Sequence, residues 1–310
     1  MTTNSACLAA LVLTLTSAGC ALDAQTLPEE EAGIVGSELT NSGASADPAY
    51  IVNVNGCTGS VISQHYILTA AHCFKTSGAL NVRIRTGMNA ENLVYASTAD
   101  VIIHPNWVDQ AADREAWDIA VVRLRGNGMG SGFARVRIYA GSETPWTTRG
   151  NLFHVSGYGD GSGPGGPKSC TDGVGGGVKR GGNFAFLGEG MRDGSTWFSV
   201  RGYSSLRTTC AGDSGSPYLL NRNGEDFIFA VHSRSERVVG GTIRATMVQT
   251  KLAWIQARSA DTLGLRLVCA RVRDHRVTPT LEYYDCAERP LPIVVGTIDL
   301  GSLPTATLSP

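Results

Sequence analysis

From Tyr50 onward the chain advances in short apolar runs separated by polar and turn-forming residues. Ile51-Val52-Asn53-Val54 and Val82-Arg83-Ile84-Arg85 alternate. Ser60-Val61-Ile62, Tyr66-Ile67-Leu68, Val101-Ile102-Ile103 and Ile119-Ala120-Val121-Val122-Arg123-Leu124 are apolar runs. So are Phe153-His154-Val155, Trp197-Phe198-Ser199-Val200, Tyr218-Leu219-Leu220, Phe227-Ile228-Phe229-Ala230-Val231 and Thr246-Met247-Val248. Each is rich in β-branched or aromatic residues, and most lie close to Gly, Asn, Asp or Pro. That pattern predicts many short strands and an all-β sandwich or barrel. The first clear helix falls at Lys251 to Arg258.

The segments around this core differ. Ala6 to Leu15 is apolar apart from Thr14, too short to span a bilayer as a helix, and fits the apolar region of an export signal. The usual positive start is missing, since Met1 to Ser5 carries no Lys or Arg. Ser17-Ala18-Gly19-Cys20 has the small residues of a lipoprotein processing site, with Cys20 as the lipid acceptor, and equally of ordinary cleavage near Ala18 to Ala21. Residues 1–20 are therefore read as a signal segment. Residues 21–33, acidic at Glu29-Glu30-Glu31, are read as a propeptide or linker. Gly157 to Gly182 is so rich in glycine that it reads as a surface loop; without a Gly-Lys-Ser or Gly-Lys-Thr it is no phosphate cradle. Beyond Ser259 the composition shifts again, and residues 259–310 are read as a small extension.

Composition narrows the class. With 42% hydrophobic and 17% charged residues the chain is globular rather than disordered. A net charge of -1 gives no ground for nucleic acid or an anionic membrane surface as partner. Of eight cysteines, Cys7 and Cys20 lie in the signal region, and Cys57, Cys73, Cys170, Cys210, Cys269 and Cys286 remain. An even set without any Cys-x-x-Cys pair suggests disulfides in an oxidising compartment rather than a metal site. No metal or cofactor is expected.

Three segments carry chemistry. Cys210-Ala211-Gly212-Asp213-Ser214-Gly215-Ser216-Pro217 surrounds a serine with small residues, so a tight turn can expose its hydroxyl. The amides of Gly212 and Ser214 could then converge on one point as an oxyanion hole. Leu68-Thr69-Ala70-Ala71-His72-Cys73 offers a histidine as base, and Asp118-Ile119-Ala120-Val121 an acid to orient it. Singly, each is as well explained as a turn, a structural histidine and a strand cap.

Together these segments resemble the chymotrypsin/trypsin-like serine proteases, in a secreted, bacterial-type form. Thr-Ala-Ala-His-Cys is complete at residues 69–73. Gly-Asp-Ser-Gly-Gly-Pro is met at residues 212–217 with Ser216 for the second Gly. Asp-Ile-Ala-Leu is met at residues 118–121 with Val121 for Leu. Ile34-Val35-Gly36, Ser156-Gly157-Tyr158-Gly159, Val231-His232-Ser233 and the Trp254-Ile255 helix agree, so the resemblance covers residues 34–258. It implies two six-stranded Greek-key barrels with a C-terminal helix and the active site in the cleft between them. His72, Asp118 and Ser214 would form the triad. Ile34, freed by cleavage after Gly33, would pair with Asp213. Cys57 would bridge to Cys73; the family's usual downstream partner of Cys210 is absent, and the pairing of Cys170, Cys210, Cys269 and Cys286 stays open, with Cys170 as the substitute partner of Cys210 and Cys269 with Cys286 as the expected arrangement. Protein or peptide substrates are implied.

The primary pocket departs from the tryptic pattern. Thr208 stands where trypsin-like members carry Asp, and Ser235 matches a pocket-wall Gly, with Ser233 on the same strand. The expected preference is for small or medium uncharged side chains rather than Lys or Arg. Two function classes follow: a serine endopeptidase, or a non-catalytic or unactivated binding protein on the same fold. An α/β-hydrolase esterase is excluded, because His72 precedes the serine and Gly-x-Ser-x-Gly is absent there.

Overall fold

The computed structural model describes residues 48–109, 111, 114–140, 149–159, 178–192, 195–202, 208–222, 225–236, 241–259, 267–273, 280–285 and 295–297. All belong to one compact unit, Gly33–Pro310; the other unit, Met1–Ala32, and with it the signal reading, lies outside the described residues.

The first barrel is formed by β1 (Ile51–Val54), β2 (Cys57–Val61), β3 (Tyr66–Thr69), β4 (Gly78–Thr86), β5 (Asn92–Ile103) and β6 (Ala120–Arg123). It closes in the order β1-β2-β3-β6-β5-β4. Alternation builds its core: on β4, Val82 and Ile84 point inward between the exposed Asn81, Arg83 and their neighbours. They meet Val52, Val54, Val61, Ile67, Val101 and Val122 in an aliphatic interior.

Beyond β7 (Arg137–Tyr139), a second barrel uses β8 (Leu152–Gly157), β9 (Arg180–Arg192), β10 (Ser195–Gly202), β11 (Pro217–Arg222), β12 (Glu225–Ser235) and β13 (Ile243–Met247). The order β11-β8-β9-β10-β13-β12 is closed by the β11–β12 pairing. Its interior is aromatic. Phe153, Phe184, Phe186, Phe198, Tyr218 and Phe229 fill it, with Phe198 edge-on to Tyr218 and Phe229 at 5.0 and 5.8 Å.

Between the barrels a third cluster joins the outward faces of β3 and β6 (Leu68, Val121) to Leu219, Ile228 and Val231 of β11 and β12. This explains why Ile119–Val122 is apolar without interruption: along Ala120–Val122 both faces of β6 are buried, one inside its barrel and one in the seam, and only Arg123 at the strand's end is exposed. Ile255 of α1 (Leu252–Arg258) closes the cluster from below. The helix begins one residue later than the sequence pattern suggests, because Gln249–Lys251 forms a turn of 3-10 helix first.

One expectation needs correction. The Gly157–Gly182 stretch is not a surface loop at its ends: Gly157 closes β8, and Gly181 and Gly182 are buried in β9, pairing with Ser156 and Val155. The remaining part, residues 160–177, lies outside the described residues. After Ser259 the chain contributes β14 (Leu267–Arg273), β15 (Thr280–Asp285) and β16 (Val295–Thr297); β14 runs parallel to β7 and lengthens the second sheet.

Candidate active site

The His72 segment leaves β3 as a 3-10 turn, Ala71–Cys73. Ala70 and Ala71 are fully buried, so nothing larger than a methyl fits beneath the histidine. The Cys57–Cys73 disulfide ties the turn to β2. Asp118 sits just before β6 with no exposure to solvent. A carboxylate there needs partners, and it has three donors. The His72 backbone N–H donates to Oδ1 at 2.9 Å, Ser233 Oγ donates to Oδ2 at 2.5 Å, and His72 Nδ1 meets Oδ2 at 2.6 Å. Across the imidazole, His72 Nε2 lies 2.7 Å from Ser214 Oγ. The chain therefore brings Asp118, His72 and Ser214 into one continuous hydrogen-bonded line.

Ser214 stands on a turn that only small residues can form. Gly212 and Gly215 have φ of 95° and 87°, in the left-handed region that disfavours side chains. A Cβ on Gly212 would also come within 2.8 Å of the Tyr158 carbonyl, and one on Gly215 would overlap the Thr58 carbonyl. The turn is fastened by Asp213 N–H to Cys210 O at 3.1 Å, Ser216 N–H to Asp213 O at 2.9 Å and Gly215 N–H to His232 O at 2.9 Å. Among the described residues, the N–H groups of Gly212 and Ser214 donate to no acceptor.

Thr58 of the first barrel reaches across to this turn. Its N–H donates to Ser214 O at 2.8 Å and its hydroxyl to Gly212 O at 2.8 Å, while that hydroxyl accepts from Tyr158 N–H at 2.9 Å. Asp213 is buried, accepting from Gly159 N–H at 2.8 Å and Cys210 N–H at 2.9 Å. Gly159 must be glycine, since a Cβ there would overlap the Asp213 carboxylate. Ile34 lies outside the described residues. Cys210 is disulfide-bonded; Cys170, its expected partner, and Cys286 lie outside the described residues.

Behind Ser214 the residues are polar and uncharged. Thr208 is buried, and its hydroxyl has no hydrogen-bond partner among the described residues. Ser235 Oγ donates to Thr209 O at 2.7 Å, linking β12 to the segment before Ser214. Ser233 turns its hydroxyl to Asp118. Sequence reasoning did not single out His232. Its imidazole is buried, Nδ1 is 3.3 Å from Tyr218 Oη, and burial followed by the nearby His72 pushes it down to about 3.

A charged cluster borders the same strand, also unread from sequence. Glu115, three residues before Asp118 and fully buried, is bound by Arg234 Nε and by Arg244 Nη1 at 3.2 Å. Arg244 also lies over the Trp197 ring at 4.8 Å. Thr246 Oγ1 donates to Glu115 O at 2.6 Å and Asp118 O at 3.2 Å, so one hydroxyl holds both acidic residues' backbone.

Paired six-stranded barrels with serine, histidine and aspartate aligned at their seam define the class of chymotrypsin-fold serine peptidases. The family model for trypsin matches residues 34–255, and the chain belongs to that family. It is 34% identical to trypsin CFT-1 of Choristoneura fumiferana over 113 residues, which is 34% of this chain and 43% of the relative. It is 25% identical to human chymotrypsin-like elastase family member 1 over 255 residues, 74% of this chain and 94% of the relative. The bovine counterpart is 23% identical over 228 residues, 67% of this chain and 80% of the relative.

Proposed function

We propose that the protein is a secreted serine endopeptidase that cleaves peptide bonds through an acyl-enzyme. The observation that carries this reading is the unbroken line from Asp118 through both nitrogens of His72 to Ser214 Oγ, at 2.6 and 2.7 Å. Asp118, held by Ser233 and the His72 amide, fixes the tautomer with Nδ1 protonated and leaves Nε2 to accept the serine proton. Ser214 Oγ attacks the scissile carbonyl carbon, forming the C–O bond, while its proton passes to Nε2. The carbonyl oxygen becomes an oxyanion that the unengaged N–H groups of Gly212 and Ser214 can receive. Nε2–H then protonates the leaving amine as the C–N bond breaks. Water, deprotonated by His72, releases the acid by the same steps in reverse.

Several finer features belong to the same proposal. Ile34, freed by cleavage after Gly33, supplies an ammonium to the buried Asp213. A protease other than a Lys/Arg-specific one, or the protein itself, makes that cut. Thr208 in place of a carboxylate removes the counter-charge for a substrate Lys or Arg, because burying an unpaired cation costs several kcal/mol. Export is supported by the oxidised Cys57–Cys73 pair. Among the described residues no helix is long and apolar enough to cross a membrane; attachment through a lipid on Cys20 is settled by intact mass.

The test is labelling with a fluorophosphonate and a peptide-cleavage assay on the parent and Ser214→Ala. The parent should be labelled at Ser214, and Ser214→Ala should lose several orders of magnitude in turnover. Equal cleavage by both proteins would overturn the assignment.

A further inference from the structure

Arg234 occupies an unusual position for a cation. It follows Ser233, the donor to Asp118, and precedes Ser235 on β12. On the edge facing β11, the ladder of β12 stops at Val231, with His232 N–H bonding Ser216 O just beyond it. Among the described residues, Ser233 to Ser235 therefore present an open strand edge beside Ser214. An extended peptide can add to such an edge, offering alternate side chains to the residues below. Arg234 is the long side chain on that stretch.

Its guanidinium is held rather than free. Nε binds the buried Glu115, and the cross-strand neighbour Arg244 binds the same carboxylate oxygen. Two cations on one carboxylate leave a surplus of positive charge. Arg244 lies over the Trp197 ring and keeps 34% of its exposure, and the Arg234 side chain, with no such ring over it among the described residues, keeps 41%. Among the described residues, the terminal nitrogens of Arg234 meet no acceptor. A planar fork fixed at Nε with both terminal nitrogens available is suited to a carboxylate. Of the other charges nearby, Asp118 is engaged by His72 and Ser233, Arg114 pairs with Asp109 at 2.7 Å, and Glu236, two residues beyond Arg234, accepts from Thr242 N–H at 2.9 Å.

We propose that Arg234, held by Glu115, is a specificity-determining residue that binds an acidic side chain of the substrate. The protein then favours sequences carrying Asp or Glu close to the scissile bond. This rests on the endopeptidase reading above, and the experiment separates the two.

A positional-scanning peptide library is cleaved by the parent, Arg234→Gln and Arg234→Lys. The parent should prefer Asp or Glu over Asn or Gln at one position by about five- to tenfold in kcat/KM, carried mainly by KM. Arg234→Gln should abolish the preference, and Arg234→Lys should keep part of it. Since losing Arg234 bares Glu115 and can disturb folding, the parent is also assayed from low to high salt, where the acidic preference alone should shrink. In a second arm the acidic peptides of the library, as a pool at each position, and their amide analogues are titrated against Ser214→Ala by calorimetry, with the acidic pool at one position expected to bind several-fold tighter. That arm needs no catalysis, so an inactive parent would count against the endopeptidase reading while the acidic site is still judged. A parent profile indifferent to acidic residues, or equal binding of the acidic and amide pools to Ser214→Ala at every position, would overturn the proposal.

Discussion

Two buried histidines should make the protein lose stability on mild acidification, well before its carboxylates titrate. His104 is stacked on Trp117 and meets Trp254 at a tilt, with ring centroids at 4.8 and 4.7 Å, and burial together with Lys251 pushes it down to about 4. His232 lies behind Ser214, and burial followed by the nearby His72 pushes it down to about 3. In the unfolded chain both return to about 6.5. The folded pKa is the lower one, so the unfolded state binds more protons between pH 6.5 and 4, and stability rises with pH through that window. It is complete above about pH 6.5 and is lost as the pH falls. Moving from pH 7 to 5 should cost about 2 kcal/mol for each histidine, an upper value of about 4 kcal/mol for both. For a domain whose whole stability is about 5–15 kcal/mol, that is a large share. Urea unfolding followed by tryptophan fluorescence at pH 7, 6 and 5 reads this as a falling midpoint with unchanged slope. His104→Phe keeps an aromatic ring between the tryptophans and removes one titration, so its pH dependence should be about half the parent's. Equal midpoints at pH 7 and 5, or the parent's full dependence in His104→Phe, would refute the reasoning.

Other outcomes follow from the site. Ser233→Ala removes one of the donors to buried Asp118; kcat should fall about tenfold with KM little changed, since a charge-assisted hydrogen bond is worth about 1.5–3 kcal/mol and the amide and imidazole donors remain. N-terminal sequencing of active protein should begin at Ile34, with activity declining at alkaline pH as that amino group loses its proton and Asp213 its partner. Full activity from a chain still carrying Glu29 to Gly33 would contradict this.

What the sequence disclosed depended on steric demand. The turn around Ser214 and the alanines under His72 admit only small residues, so the site left a pattern in one dimension. Most strands were legible because β-branched and aromatic runs fit a pleated, buried surface. β7 escaped because it is three residues long, Arg137–Tyr139, and is recruited by parallel pairing with β12 and β14. β9 escaped because its glycines argue against a strand. Their empty space is used by neighbours: a Cβ on Gly190 would overlap the Trp197 ring, and one on Gly181 would come within 2.8 Å of His154 Nε2. The meeting of Glu115, Arg234 and Arg244 depends on a bulge between His232 and Arg234 that sets cross-strand register, and no local pattern announces it.

Thr58 gives the molecule a mechanical character. His72 and Asp118 are built on the first barrel and Ser214 on the second, and Thr58, itself bound by Thr69 Oγ1 at 2.7 Å, latches one to the other through its amide and hydroxyl. Reaction geometry tolerates little drift, and a displacement of about 1 Å can cost a hundredfold in rate. Slippage along the seam would silence the enzyme while both barrels kept their interiors intact. Activity is thus a strain gauge for how the two halves are docked, and it should fade earlier in denaturant than any spectroscopic signal of either core.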